Sequence, residues 1–222
     1  MKKEKILIML PLMLLASCDV TSSSGFIDAK IFEEKVEKVA KENVKLDGTL
    51  SYKFYDDEGK PTSGDPVVSK FDVEFTDNGY LIDGEFDSKI SQHLFKSTDN
   101  TIELRYINEL NELTTYRPVD NENKEYDFTP YTNPFSLLTS ENLVTSSDEK
   151  GATFDLDSSL PVAIEFVSRL TYHTFDKLEE LSFVANDDMV TDIHIATPVL
   201  SETLRSGTYT FDLKITATGE DV

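Results

Sequence analysis

The sequence predicts an α+β fold, in which a curved antiparallel β-sheet forms a half-barrel and an N-terminal amphipathic helix packs on its concave face. Two observations support this prediction. Apolar residues first recur at helical spacing and then, after Gly48, alternate with polar residues as in half-buried strands. The 222 residues also include 14 Phe and 9 Tyr, which give one face of such a sheet a large apolar area to bury.

Composition and charge limit the classes of protein to which this chain can belong. Asp and Glu number 42 against 21 Lys and Arg, so the formal charge is −21 and nucleic-acid binding is excluded. A hydrophobic fraction of 39% is too high for a disordered acidic chain. The single cysteine permits no internal disulfide and no multi-thiolate metal cluster, so burial of apolar area must stabilise the fold.

The first segment is typical of a signal peptide. Three lysines precede an apolar run at 6–16, which is too short to cross a hydrocarbon core of about 30 Å as a permanent helix. The run ends in Leu15-Ala16-Ser17-Cys18, which resembles the lipobox of bacterial lipoproteins. The resemblance implies cleavage after residue 17 and a thioether-linked diacylglycerol on Cys18, the only cofactor-like group that we expect.

This anchor predicts an extracytoplasmic protein held at the bacterial cell membrane by its lipid, on the outer surface or the periplasmic side. Cleavage removes three lysines and one glutamate, which changes the net charge from −21 to −23. Anionic lipid headgroups repel so acidic a body, so we expect membrane contact through the Cys18 lipid alone. Residues 18–25 form the lipidated tether, and the Ser-rich stretch up to Gly25 predicts a flexible linker.

Residues 26–222 are predicted to form one domain that begins with a helix at 26–43. Two ion pairs four residues apart, Glu34 with Lys38 and Glu37 with Lys41, favour the helix. The apolar residues at helical spacing are Ile27, Ile31, Phe32, Val36, Val39 and Ala40.

Alternation predicts the strands of the sheet. Asp47-Gly48 is interpreted as a turn, and Thr76-Asp77-Asn78-Gly79 predicts a hairpin, because Asn-Gly accepts the backbone angles of a type I′ turn. Prolines and polar residues at 118–159 predict a loop-rich excursion with a short helical turn from Phe135 to Val144. The predicted strands lie near 50–54, 67–75, 80–87, 102–106, 112–117, 162–175, 180–185, 189–195 and 208–217.

No catalytic or metal-binding motif is present in the sequence. Its three histidines, His93, His173 and His194, have no ligand spacing, and there is no Gly-x-Ser-x-Gly elbow. Carboxylates on neighbouring strand faces, such as Asp72 and Asp83, are typical of a solvated sheet surface. We therefore predict no catalytic residue, no metal site and no enzymatic activity.

Aromatic residues are the candidate ligand-binding set. They alternate with polar residues and are expected to face inward, where they either fill a core or line a groove for acyl chains. The set comprises Tyr52, Phe54, Phe71, Phe75, Tyr80, Phe86, Tyr106, Phe183, Tyr209 and Phe211.

The layout over residues 26–222 resembles the LolA/LppX-like family of bacterial lipid-carrying proteins. The resemblance rests on the helix at 26–43, the strand start Gly48-Thr49-Leu50-Ser51-Tyr52, the meandering strands and the final strand at 208–217. It implies a half-barrel with the helix as a lid over a hydrophobic cavity for lipid.

Three hypotheses on function remain open at this point. The first is a non-enzymatic, membrane-tethered lipoprotein that binds a hydrophobic or amphipathic ligand, such as a lipid, in the concavity of its sheet. The second is an interaction or structural lipoprotein with a filled core that binds a protein or an envelope polymer. The third is a hydrolase assembled from scattered carboxylates.

Overall fold

A computed structural model gives the structure of the chain. It describes residues 21–56, 58, 60, 67–77, 79–86, 89–98, 101–107, 113–116, 132–139, 143–148, 152–171, 175–200 and 206–222. The signal peptide and Cys18 lie outside the described residues, so the lipobox stays a prediction.

One open antiparallel sheet dominates the fold. The helices are α1 (Thr21–Ala40) and α2 (Pro161–Thr171), with short 3₁₀ helices at Pro134–Leu138 and Gly219–Asp221. The strands are β1 (Val44–Tyr55), β2 (Val67–Thr76), β3 (Gly79–Phe86), β4 (Lys89–Thr98), β5 (Thr101–Ile107), β6 (Leu113–Tyr116), β7 (Val144–Ser147), β8 (Thr153–Leu156), β9 (Glu180–Ala185), β10 (Val190–Leu200) and β11 (Ser206–Thr218). Their order is β6-β5-β4-β3-β2-β1-β11-β10-β9-β8-β7, and the predicted α+β fold with a curved antiparallel sheet is confirmed.

The first and last strands meet at the centre of the sheet. β1 pairs with β11 along its whole length, from Val44 opposite Thr218 to Tyr55 opposite Ser206. From this pair, β2 to β6 continue outward on one side and β10 to β7 on the other. The centre of the sheet therefore joins residues that are far apart in the sequence.

Helix α1 packs on the apolar face of the sheet. Phe32, Val36 and Val39 follow helical spacing and are almost fully buried. The ring of Phe32 lies 5.2 Å from the ring centroids of both Phe154 on β8 and Phe183 on β9. One stripe of α1 is thus fixed against one half of the sheet.

The helix differs from its prediction at both ends. It begins at Thr21, five residues before Phe26, so residues 21–25 are helical where a flexible linker was expected in the tether 18–25. Serines cost a helix little and no proline interrupts them, so the helix extends to this point. It ends at Ala40, and Asn43 instead accepts a hydrogen bond on its side chain from the Asp77 backbone N–H at 3.0 Å.

One of the two predicted ion pairs on α1 is confirmed. Lys41 Nζ lies 2.5 Å from Glu37 Oε1. Lys38, however, lies 3.5 Å from Asp188 in the β9–β10 turn, where Glu34 was the predicted partner. Lys38 therefore links the helix to the sheet.

The predicted strand at 162–175 is wrong, because its residues 162–171 belong to α2, and residues 172–174 lie outside the described part of the chain. Ala163, Phe166, Val167 and Leu170 are buried along one side of the helix. Pro161 occupies its first position, where the missing N–H costs no helical hydrogen bond. The ring of Phe166 lies 5.8 Å from that of Phe183, so α2 shares the core with α1, and the expectation of a single covering helix is corrected.

Most other predicted strands are confirmed. The hairpin joins β2 to β3, with Phe75 opposite Tyr80 and Thr76 opposite Gly79, so its loop is Asp77-Asn78. The predictions near 102–106, 112–117, 180–185, 189–195 and 208–217 correspond to β5, β6, β9, β10 and β11.

Three strands were missed. In the β4 sequence neither set of alternate positions is consistently apolar, and β7 and β8 are too short to show a period. The predicted excursion at 118–159 is therefore corrected, since β7 and β8 return the chain to the sheet. Residues 118–131 lie outside the described part, and the predicted helical turn is the 3₁₀ helix Pro134–Leu138.

Gly48 lies in the middle of β1, so the predicted Asp47-Gly48 turn is wrong. Phe71 on β2 is directly opposite Gly48, and its ring covers the glycine. A Cβ atom at position 48 would lie 2.4 Å from the Phe71 ring, closer than nonbonded carbons approach. Glycine is needed here for packing across the strands.

We predict that Gly48→Ala lowers the free energy of unfolding by about 1–3 kcal/mol, because the added methyl group must displace the buried Phe71 ring. Urea unfolding followed by circular dichroism measures this change. Ser51→Ala, on the polar side of the same strand, is the control and should stay within about 0.5 kcal/mol of the wild type. Equal unfolding midpoints for Gly48→Ala and the wild type would contradict the packing argument.

Candidate functional site

The polar face of the central strands contains a groove of about 610 Å³. Strands β2, β1, β11, β10 and β9 all line it, and α1 and α2 pack on the other face. Strand alternation explains this arrangement, because Phe183 is buried in the core while its neighbours Ser182 and Val184 line the groove. We call this site the polar groove.

Two rows of polar side chains cross the groove, one residue from each strand. The first row contains Asp192, Lys214, Asp47 and Asp72, and Asp83 on β3 continues it beyond the groove. The second row contains Ser182, His194, Asp212, Thr49 and Lys70. Directly opposite residues of an antiparallel sheet have Cβ atoms about 4.5–5.5 Å apart, so neighbours in a row interact.

Like charges meet at one end of the first row. Asp72 lies directly between Asp47 and Asp83 on the neighbouring strands. Partial burial, and then the negative charge of Asp47, raise the pKa of the Asp72 carboxyl above its ordinary value. The charges of Asp83 and Glu74 add to this rise. The fold therefore places a charge at Asp72 that its surroundings disfavour.

A strong ion pair lies beside this end of the groove. Lys45 Nζ donates to Glu74 Oε1 at 2.6 Å, and this hydrogen bond and charge raise the pKa of Lys45. Lys45 also partly offsets the repulsion at Asp72 by lowering its pKa. Because Lys45 is paired with Glu74, its positive charge is already balanced by a neighbouring carboxylate.

His194, which belongs to the second row, lies between the carboxylates of Asp212 and Glu180. Its Nδ1 is 2.6 Å from Asp212 Oδ1, and its Nε2 is 3.8 Å from Glu180 Oε2. Ser182 is directly opposite His194 on β9, so the row contains the residue types of a serine hydrolase triad. In the described contacts, however, Nε2 faces Glu180 and makes no hydrogen bond to Ser182.

Eight of the ten residues in the predicted aromatic set have described side chains, and these belong to the apolar face of the sheet. Phe71, Phe75, Tyr80, Phe183 and Phe211 are buried in the core. Tyr52, Phe54 and Tyr209 are half-buried. The side chains of Phe86 and Tyr106, like Cys18, lie outside the described residues.

The half-buried rings form one contiguous cluster at the β1–β11 end of the apolar face. Tyr52 packs edge-to-face on Phe54 and on Tyr209, with ring centroids 5.1 Å and 5.6 Å apart. The ring centroid of Phe211 lies 6.4 Å from that of Tyr209 and 5.9 Å from that of Phe175. We call these five residues the aromatic end.

The sequence indicated that Asp72 and Asp83 lie on a solvated sheet surface but did not predict the groove. Asp47 was assigned to a turn, and His194 was noted only as a histidine without ligand spacing, whereas both line the groove. The described residues contain no group of His, Cys, Asp and Glu that could hold a metal ion. Neither described helix combines the length and apolarity that crossing a bilayer requires.

Comparisons with known proteins do not assign the chain. No family model matches it, and no curated protein matches it. The crystal structure of the ywiB protein from Bacillus subtilis is similar at 8% identity, over 82% of this chain and 98% of that chain, with a TM-score of 0.28. A likeness of this size supports no conclusion about fold or function.

We predict that Asp72→Asn stabilises the protein at neutral pH by up to about 1 kcal/mol, the cost of like charges opposite each other on neighbouring strands. Because folding raises the pKa of Asp72, the protonated side chain favours the folded state at low pH. This contribution to stability is lost as the pH rises through the raised pKa. The advantage of the variant should therefore vanish as the pH falls below the ordinary carboxyl value of 3.8. Urea unfolding across this pH range measures it.

Asp192→Asn is the matched control, because Asp192 is in the same row but directly opposite Lys214. Its removal should give no gain in stability at neutral pH. A stabilisation equal to that of Asp72→Asn would show that total charge, and not the local repulsion, is responsible.

Proposed function

We propose that the chain is a membrane-tethered extracytoplasmic lipoprotein that works as a non-enzymatic binding protein and meets its partner, a protein or an envelope polymer, at the polar groove. The lipobox-like Leu15-Ala16-Ser17-Cys18 supports the anchor, since it places the only cysteine of the chain at the end of a signal-peptide pattern. A diacylglycerol joined by a third chain supplies the acyl chains that stable anchoring needs.

One observation carries the choice of binding surface. The apolar face beneath α1 and α2 is filled by the protein's own side chains, with Phe32, Phe166 and Phe183 each at most 1% exposed. The groove of about 610 Å³ opens on the opposite face, and nine of its fourteen lining residues are charged or polar. A polar partner therefore fits the accessible surface better than an acyl chain does.

The position of the anchor is compatible with this surface. Helix α1 begins at Thr21, three residues after Cys18, and packs on the face opposite the groove. The proposed lipid would therefore join the chain just before a helix that packs on the other face of the sheet, and we expect the groove to stay open to a partner.

The geometry at His194 supports the non-enzymatic part of the proposal. A serine nucleophile needs a histidine nitrogen within about 3.2 Å to take its proton. The nitrogen of His194 that is not bonded to Asp212 faces Glu180. This pair of carboxylates orients the ring for binding more readily than for proton transfer from Ser182.

A second candidate function is the binding of an apolar or amphipathic ligand such as a lipid. The aromatic end favours it, because Tyr52, Phe54 and Tyr209 keep part of their ring surface exposed beside the buried core. The resemblance to the LolA/LppX-like family points in the same direction. Native mass spectrometry of gently extracted protein distinguishes the candidates, because lipid that co-purifies with the wild type and not with Tyr52→Ala would favour this second function.

We predict that Cys18→Ser releases the protein from the membrane fraction and abolishes metabolic labelling with palmitate. The thiol is the attachment point of the lipid, so no other change in the folded body is expected. Fractionation and labelling measure both effects, and an unchanged circular dichroism spectrum is the control. Persistent membrane attachment with labelling lost would contradict the proposed anchor.

We predict that Asp72→Asn combined with Lys214→Gln weakens capture of the partner from envelope extracts, while the net charge stays the same. Capture by the wild type should be strong at about 0.05 M salt and weak at about 0.5 M, because salt screens exposed charges. Asp187→Asn combined with Lys177→Gln makes the same charge changes at exposed positions outside the groove. Equal capture by both double variants would contradict binding at the groove.

A further inference from the structure

We propose that the polar groove binds an extended peptide segment whose side chains alternate in charge, with a cation and an anion two residues apart. This inference rests on the proposed function, since it names the chemical class of partner that the groove takes.

Opposite charges lie two residues apart along two strands of the groove, and Lys214 also lies between two aspartates on the neighbouring strands. On β11, Asp212 and Lys214 are two residues apart on the groove face, and on β2, Lys70 and Asp72 are two residues apart. The positions of the two charges are reversed between β11 and β2. Lys214 and Asp72 belong to the first row, and Asp212 and Lys70 belong to the second. Asp192 is directly opposite Lys214 and extends the alternation to β10.

The two lysines of the groove keep their charge available to a ligand. Neither Lys70 nor Lys214 forms an ion pair with another described residue, and both are exposed. Lys45, on the same face of β1, is instead bonded to Glu74. In a chain this acidic, two exposed lysines that form no ion pair with a described residue favour a ligand that brings anionic groups to them.

The carboxylates require cationic groups on the same ligand. Asp72 carries an unfavourable charge between Asp47 and Asp83, and a cation placed there would relieve the repulsion. Lys70 and Lys214 would repel a purely cationic ligand, and the aspartates would repel a purely anionic one. Only a ligand with both signs satisfies both sets of groups.

An extended peptide has the matching spacing. Its alternate side chains are about 6.4–6.8 Å apart on one face, which is also the spacing of two groove residues on one strand. A peptide lying along β11 would place a cation at Asp212 and an anion at Lys214. Laid along β2, the same alternation would match Asp72 and Lys70.

Fluorescence anisotropy with labelled synthetic peptides tests the inference on the full-length lipoprotein in detergent. The probe repeats Lys-Ser-Glu-Ser, and a block peptide of the same composition places all its lysines before its glutamates. Peptides that repeat Lys-Ser and Glu-Ser are the single-sign probes. The alternating peptide should bind about threefold to tenfold more tightly than the other three, since each matched exposed pair contributes little alone.

The groove variants make the result specific. Asp72→Asn combined with Lys214→Gln should remove the preference for the alternating peptide, and Asp187→Asn combined with Lys177→Gln should keep it. If the Lys-Ser peptide binds most tightly and Lys214→Gln strengthens its binding, the groove is a cation site, so this inference is overturned and the proposed function stands. If no peptide responds to the groove variants, both are overturned.

Discussion

The packing of phenylalanine rings from both helices on Phe183 is the constraint on which the rest of the structure depends. Phe183 is fully buried, contacts Phe32 of α1 at 5.2 Å and Phe166 of α2 at 5.8 Å, and pairs with Phe154 on β8. A fully buried phenylalanine contributes about 1.5–3 kcal/mol, so this cluster holds both helices to one face. Because Phe32 of α1 and Phe166 of α2 both contact this ring, its position helps to determine where the covering layer lies.

The same constraint creates the groove. In a strand the side chains alternate between faces, so fixing Phe183 and Leu213 in the core directs Ser182, Asp212 and Lys214 to the other side. A shift of one residue in any of these strands would bury the charges and expose the rings. The strand register that stabilises the core therefore also aligns the two polar rows. A change of register in the core would disrupt the groove as well.

The sequence predicted strands where apolar and polar residues alternate cleanly, and it failed where another pattern also fits. In α2, Ile164 and Phe166 fit a period of two, while Phe166, Val167 and Leu170 fit a helix, so only the leading Pro161 pointed to the correct element. The groove could not be predicted, because its centre joins β1 to β11. No local pattern indicates that Asp47 lies directly opposite Lys214.

In the proposed recognition of a partner, the net charge of the chain and the local charges of the groove would have different roles. A chain with a net charge of −21 attracts cations from all directions, but salt screens this field over about 8 Å at physiological ionic strength. Inside the groove the relevant distances are shorter, and Lys70 and Lys214 are exposed beside carboxylates. The general field therefore brings partners near without choosing among them. Selection must come from the positions of these two lysines, since they are the groups that a simple polycation cannot satisfy.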